Sequence, residues 1–277
     1  MENIDILELI KIIILSVVQG ITEWLPISST GHMIVIEDFM PLSLSSNFRE
    51  LFLVLVQLGS IIAVLVLYFQ KLNPFSLSKD PGERKQTWIL WLKVAFASLP
   101  AVLFGFVLDD YMDEYFYNPV VVAIALIVYG IGFIWIESHK QGKHAFQIQT
   151  LADLSFATAF KIGLFQALAI IPGTSRSGST IIGALILGAS RFVATEFSFF
   201  MSVPIMFGAS LMKLVKLGFG LTSLEYVYLG IGMVIAFIVS ILAIKFLLSY
   251  IKRHDFKAFG YYRIILGALI LLYFVLK

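Results

Sequence analysis

Gln19-Gly20-Ile21-Thr22-Glu23-Trp24-Leu25-Pro26-Ile27-Ser28-Ser29-Thr30-Gly31-His32 breaks an apolar stretch with a carboxylate, an imidazole and a run of hydroxyls. A second break, Gln166-Ala167-Leu168-Ala169-Ile170-Ile171-Pro172-Gly173-Thr174-Ser175-Arg176-Ser177-Gly178-Ser179-Thr180, carries a guanidinium among its hydroxyls. Ionisable groups inside apolar spans are costly and by default mark functional sites. Proline and glycine end helices. Each stretch therefore reads as two half-helices flanking a break, over residues 5–25 and 31–40 and again over 155–171 and 177–190. Irregular backbone at membrane depth survives only where protein or a wet cavity covers it. Both stretches are accordingly expected to enter the bilayer and return on the same side as re-entrant hairpins.

The rest of the chain supports a membrane reading. Of 277 residues, 59% are hydrophobic and 14% charged, with a mean hydropathy of +0.93, whereas a soluble domain carries about 25% charged residues. A crossing helix needs roughly 20 apolar residues, and six segments qualify: about 51–70, 88–108, 118–136, 196–216, 226–250 and 259–276. The expected fold is an all-α polytopic membrane protein, a single integral domain over 1–277 with six transmembrane helices and two broken hairpins. A net charge of +2 gives no case for nucleic acid, and the absence of cysteine excludes disulfides and thiolate metal sites. Glu2, Asp5 and Glu8 precede the first cation, Lys11. A cleaved signal peptide would begin positive, so the apolar N-terminus is expected to be retained.

Basic residues in short loops set orientation. Loop 71–87 contains Lys71, Lys79, Arg84 and Lys85; loop 137–154 contains Lys140 and Lys143; loop 251–258 contains Lys252, Arg253 and Lys257. Connections 109–117 and 217–225 carry no Lys or Arg, and the first is acidic through Asp109, Asp110, Asp113 and Glu114. The basic loops are thus expected in the cytoplasm and both termini outside. At an offset of 146, Pro26, Ser28, Ser29 and Glu50 fall on Pro172, Thr174, Ser175 and Glu196. Each half, about 1–140 and about 150–277, reads as a broken hairpin followed by three spans. Three is odd, so the copies insert oppositely. Inverted repeats of this kind place discontinuous helices and their site near the midplane.

Gln19 and Glu23, four apart, share a helix face. Ser28, Ser29 and Thr30 follow Pro26 as natural caps of the next helix, whose unpaired N–H groups form an anion site; His32 lies in its first turn. In the second break Gly173 frees the backbone, Thr174 and Ser175 cap, and Arg176 brings a fork of donors suited to phosphate. Two helix N-termini meeting from opposite sides with one arginine make a diphosphate cradle. Glu23 and His32 add acid–base capacity, and a serine could be the nucleophile.

Blander roles weigh against each element. Hydroxyl and glycine clusters in membrane helices often serve close packing or backbone repair, a lone His is as often structural, and Arg176 could simply neutralise Glu23. Elsewhere, Lys11, Lys93, Lys161 and Lys213 are expected to snorkel to an interface, Trp88, Trp91 and Trp135 to form an interfacial belt, and His139, His144 and His254 to be solvated. Arg49 with Glu50 and Arg191 with Glu196 read as local pairs. Gln57 either lines the cavity or bonds a neighbouring helix. No Walker A, HExxH or CxxC motif occurs, so nucleotide hydrolysis and zinc proteolysis have no support.

These residues resemble the bacterial undecaprenyl-diphosphate phosphatase family, also called bacitracin-resistance proteins. Gln19-Gly20-Ile21-Thr22-Glu23 matches its first motif, Leu25-Pro26-Ile27-Ser28-Ser29-Thr30-Gly31-His32-Met33 its hydroxyl stretch, and Pro172-Gly173-Thr174-Ser175-Arg176-Ser177-Gly178 its second region. Similarity extends through Gln57-Leu58-Gly59-Ser60 and Glu196-Phe197-Ser198-Phe199, nearly end to end. One position departs from the commoner form: Gln19 stands where many members have a carboxylate, leaving Glu23 alone and weakening any two-acid metal scheme.

The resemblance implies removal of the terminal phosphate of undecaprenyl diphosphate, giving the monophosphate carrier reused in peptidoglycan synthesis. It also implies a plasma-membrane protein with its site open to the outer face, dependence on Mg²⁺ or Ca²⁺ with Glu23 as ligand, and bacitracin resistance; a homodimer stays open. On this reading Ser29 is the first choice of nucleophile over water, activated by His32 or Glu23. Glu23 would alternatively orient His32. Arg176, Ser175 and Thr180 hold the diphosphate, and Gln19, Ser28, Thr30, Gly173, Thr174 and Ser177 belong to the phosphate site. Two rival classes are a secondary transporter or lipid-carrier flippase, which explains inverted repeats equally well, and an acid-phosphatase-like lipid phosphatase. The latter lacks its third motif here, since no His and Asp pair follows Ser175-Arg176.

Overall fold

The computed structural model describes residues 4–139, 146–218 and 220–277; Glu2, Lys140, Lys143 and His144 lie outside the described residues. Eleven helices follow in order: α1 Ile6–Thr22, α2 Ser29–Phe39, α3 Ser46–Leu67, α4 Phe69–Leu72, α5 Pro81–Tyr115, α6 Pro119–His139, α7 Phe156–Ala167, α8 Arg176–Ile186, α9 Arg191–Leu217, α10 Ser223–Tyr250 and α11 Lys257–Leu276. A short 3₁₀ turn, Leu168–Ile170, extends α7. Among the described residues there is no strand, only an isolated bridge between Ile148 and Ala189. Among the described residues six helices are long and apolar enough to cross a membrane: α3, α5, α6, α9, α10 and α11.

Local chemistry sets the boundaries. Side chains of Asp5, Ser45, Ser155 and Ser190 cap α1, α3, α7 and α9, satisfying N–H groups that helix starts leave open. Asp80 with Glu83 and Thr222 with Glu225 form reciprocal capping boxes on α5 and α10. The Asp80 cap and Pro81 at the first helical position start α5 inside the stretch expected as loop 71–87. At its far end α5 runs on through residues 109–115, expected as a loop, because no helix breaker intervenes before Asn118 and Pro119. The acidic run is therefore helical.

Hydrogen bonds sort the connections into two ends. At one end Asp5 N–H donates to the Tyr228 hydroxyl (3.0 Å), Lys11 to the Pro41 carbonyl (2.7 Å), Ser43 N–H to Glu8 (3.1 Å) and Lys277 to Asp38 (2.8 Å). Both chain ends, the α2–α3 connection and the start of α10 share this end. At the other, Arg191 and the Phe256 N–H converge on Glu137, Lys93 on the carbonyls of Leu151 and Ala152, and Lys71 on Glu196. Each broken stretch begins and finishes at one end. The α1–α2 pair does so through Lys11 and Glu8; the α7–α8 pair is tied where Ser190 N–H donates to the Ile148 carbonyl (2.8 Å).

The halves interlock. α1 packs on α10 and α7 on α5, while α3 meets α9 and α6 meets α11. At the α6–α11 crossing a Cβ on Gly130 or on Gly260 would lie 2.7 Å from the other's carbonyl oxygen; only glycine lets the two backbones touch. α2 and α8 each have 11 residues and start 147 positions apart. Their caps, Ser28 and Ser175, both have φ near +70° and accept from the N–H of Gly31 and Gly178. The register is thus 147, not the 146 read from sequence identities: Ser28 corresponds to Ser175 rather than to Thr174, and Ser29 to Arg176.

Candidate active site

Two breaks meet behind one buried guanidinium. Arg263 of α11 donates to the carbonyls of Pro26 (3.2 Å) in the first break and of Gly173 (3.0 Å) and Thr174 (2.9 Å) in the second, with Leu126 (3.3 Å) as a fourth acceptor. It is fully buried. Carbonyls left without helical partners by the breaks need donors in an apolar interior, and Arg263 is that donor for both. Ser177 adds a second clasp, its hydroxyl lying 3.2 Å from the Glu23 carbonyl and 3.4 Å from that of Leu25. Gly173 holds φ +88°, and a Cβ there would meet Val122, so the second break approaches α6 more closely than a side chain permits.

Glu23, the C-terminal cap of α1, is the hub of the polar cluster. One carboxylate oxygen accepts from Gln19 Nε2 (2.9 Å) and from Ser29 Oγ (3.3 Å). The other faces Arg176 Nη2 at 3.3 Å, and Arg176 Nη1 donates to the Ser198 carbonyl of α9 (2.8 Å). Gln19, Glu23, Ser29 and Arg176 are therefore gathered from both hairpins. Glu23 and Arg176 are largely buried, so their charges are weakly screened. A serine hydroxyl bonded to a carboxylate beside a guanidinium is an arrangement that can supply a nucleophile, a base and an anion-stabilising group from one cluster. Arg176 Nε and, in the neighbouring ring 5.8 Å from its Cζ, Trp24 Nε1 are buried without partners.

His32 bonds to groups other than Glu23. Its Nδ1 is 2.7 Å from the Ser28 carbonyl and its Nε2 2.7 Å from the Tyr262 hydroxyl. A carbonyl only accepts, so Nδ1 carries a proton, and the Tyr262 hydroxyl, both donor and acceptor, is the partner of Nε2. The imidazole thereby braces Ser28, a non-glycine residue at φ +71°, a conformation costing of order 1–3 kcal/mol unless its surroundings fix it. Ser28 and Tyr262, not Glu23, are thus the groups that orient His32.

The other hydroxyls divide by partner. Ser28 and Ser175 cap α2 and α8. Thr180 is directed to Arg176 and Ser177 carbonyls and to Ser198 Oγ (2.6 Å), so in this conformation it secures Arg176's helix to α9. Ser177 serves the clasp described above. Thr174 Oγ1 is buried and unpartnered, its carbonyl taken by Arg263. Ser29 and Thr30 are half-buried at the start of α2.

Several expectations outside the cluster change. Lys93 does not snorkel: it is buried and bound to two carbonyls. The anticipated local pairs are non-local: Arg191 binds Glu137 (2.6 Å), Glu196 binds Lys71 (2.6 Å), and Glu50 binds Lys213 (2.8 Å). Gln57 donates to Leu53 of its own helix. Trp91 donates to the Leu72 carbonyl. Arg263 and Tyr262 were not singled out, although a lone cation inside an apolar span was the signal that would have found Arg263.

The residues do not fit a protein-built Mg²⁺ or Ca²⁺ cage. Such ions want six or more oxygen ligands, whereas the cluster has one carboxylate already facing a guanidinium. Among the described residues no group of three or more His, Asp or Glu could hold a metal.

Comparison with known proteins adds to this geometry. Residues 12–269 match the family model described as Bacitracin resistance protein BacA. The chain is 54% identical over 277 residues to Undecaprenyl-diphosphatase 1 of Clostridioides difficile, covering 100% of both chains. It is 56% identical over 269 residues to Undecaprenyl-diphosphatase of Acetivibrio thermocellus, covering 97% of this chain and 98% of that one. It is 53% identical over 271 residues to Undecaprenyl-diphosphatase of Enterococcus faecalis, covering 97% and 98%.

Proposed function

The chain belongs to the bacitracin resistance protein family, and from that premise we propose that it removes the terminal phosphate of undecaprenyl diphosphate. The observation that carries this reading is the Glu23 carboxylate bridging Ser29 of one hairpin and Arg176 of the other. The two hairpins enter the bilayer from opposite faces and meet at their tips. Bound diphosphate takes over the guanidinium from Glu23, freeing the carboxylate to act as base. Ser29 Oγ attacks the β-phosphorus and its proton passes to Glu23. A Ser29–phosphorus bond forms as the bond from β-phosphorus to the bridging oxygen breaks, and the lipid leaves as its monophosphate. Water, deprotonated by a Glu23 that has released its proton to solvent, then cleaves the phosphoserine to orthophosphate and regenerates the hydroxyl.

Arg176 balances the charge on the equatorial oxygens in both steps. His32 and Tyr262 hold the strained cap, and Arg263 holds the breaks together. The lipid chain lies against the apolar outer faces of the spans, each buried CH₂ contributing about 0.8 kcal/mol. A divalent cation, expected from the family resemblance, enters with the diphosphate rather than with a protein cage. The end that carries both termini faces outward, because the opposite end gathers the basic loops. There the enzyme regenerates the carrier for peptidoglycan synthesis and, when abundant, confers bacitracin resistance.

The test is orthophosphate release from C55 diphosphate by purified protein, with a search for ³²P-phosphoserine at Ser29 after acid quench. Release by the wild type together with loss in Glu23→Gln supports the reading. Undiminished release by that variant contradicts it.

A further inference from the structure

Gln166 is a buried side chain with both amide atoms, Nε2 and Oε1, lacking a hydrogen-bond partner. A buried carboxamide left open at both ends is unusual enough to need an explanation, and an absent ligand or water is the common one. Its place in the fold points to the ligand. Gln166 stands 147 residues after Gln19, the register set by the matched caps Ser28 and Ser175. Both glutamines are 2% exposed. Both lie in the last turn of the first half-helix.

The two diverge four residues on. Gln19 donates to Glu23, but the position equivalent to Glu23 is Ile170, which has no group to receive the amide. The same register exchanges Ser29 with Arg176, the residues that Glu23 links. Under that exchange Gln166 is the counterpart of Gln19, one amide satisfied by a carboxylate and the other open.

We propose that Gln166 contacts the substrate and binds the phosphate that stays on the lipid, its Nε2 donating to an oxygen of that group while Oε1 accepts from an accompanying water. The diphosphate then spans the pair, its transferred phosphate on the Glu23 side and its retained phosphate on the Gln166 side. This assignment rests on the phosphatase reading above.

The experiment compares wild type with Gln166→Met, close in volume, and Gln166→Glu. KM and kcat for C55 diphosphate are measured together with inhibition constants for the lipid monophosphate and for orthophosphate. Removing one hydrogen bond to a charged oxygen should raise KM about tenfold or more. The monophosphate inhibition constant should rise in parallel, with kcat changed less than about threefold and orthophosphate inhibition unchanged. Gln166→Glu should weaken both lipid constants further by charge repulsion. The thermal midpoint of Gln166→Met should equal or exceed that of wild type, since an unpartnered amide is removed. Wild-type lipid constants in Gln166→Met, a lowered midpoint with proportionate loss of all activity, or a selective change in orthophosphate inhibition each overturn the assignment. No phosphate release by the wild type would instead overturn the phosphatase reading itself.

Discussion

Replacing Arg176 by alanine should abolish turnover, but the structure shows why that variant alone is ambiguous. Arg176 faces Glu23 at 3.3 Å, with side chains 11% and 8% exposed. Deleting one partner of a buried ion pair strands the other and costs about 3–5 kcal/mol. Arg176→Ala should therefore lower the thermal midpoint by roughly 10 °C, at about 2–4 °C per kcal/mol. Pairing it with Glu23→Gln removes the stranded charge and should recover most of that loss.

Activity should behave differently from stability. Loss of a preorganised donor at a developing negative charge costs about 10²–10³ in kcat, and the whole guanidinium is lost here. Phosphate release should fall by at least that factor in Arg176→Ala even when it is assayed below the lowered midpoint, where the variant is folded. Arg176→Lys keeps the charge but not the fork, and should lie between. The assays are a thermal melt in detergent and orthophosphate release at saturating C55 diphosphate. Near-normal turnover by Arg176→Ala, assayed below its lowered midpoint, would show that Arg176 is a structural counter-ion only, and would refute the reasoning.

Arg263→Met should lower the thermal midpoint by more than any single hydroxyl change, because three backbone carbonyls of the two breaks and that of Leu126 in α6 lose their donor at once; a melt of that variant beside Thr180→Val checks the ranking. Gly173→Ala should destabilise by about 1–3 kcal/mol, since φ +88° and the contact with Val122 both exclude a Cβ; an unchanged midpoint would contradict the close approach. Tyr262→Phe removes one hydrogen bond to a bracing His32 and should cost about 0.5–1.5 kcal/mol with kcat within a few fold; a hundredfold drop in kcat would return His32 to the chemistry. Impermeant labelling of single cysteines placed near both termini of intact cells should succeed at each; protection of both would reverse the orientation.

What the sequence made legible was whatever hydropathy and helix punctuation encode. Pro26 and Pro172 with their hydroxyl runs located both breaks to within a few residues, and six apolar segments located the spans, because a bilayer imposes length and composition on a helix. The residues gathered around Glu23 could be named because charges and hydroxyls are conspicuous against that background. Long-range pairing was not legible. Lys93 reaches carbonyls 58 and 59 residues away, and Glu196 a lysine 125 residues away, so neighbours in sequence misled. The one-residue error in register has the same origin: Pro26 and Pro172 match as letters, whereas the backbone matches Ser28 with Ser175 through their shared positive φ, which composition does not report. The partners of His32, Ser28 and Tyr262, were not legible either, because a first-turn histidine can turn toward the break or away from it and only packing with α11 decides.

The account stands on Ser29 and Arg176, brought from opposite hairpins, acting on one phosphate. A double-mutant cycle on kcat/KM for C55 diphosphate, using Ser29→Ala, Arg176→Lys and the pair together, measures this directly. Residues serving a single transition state are strongly non-additive, so the double variant should be no slower than the worse single variant within about threefold. Losses that multiply independently would place the two residues in separate events and contradict the shared site.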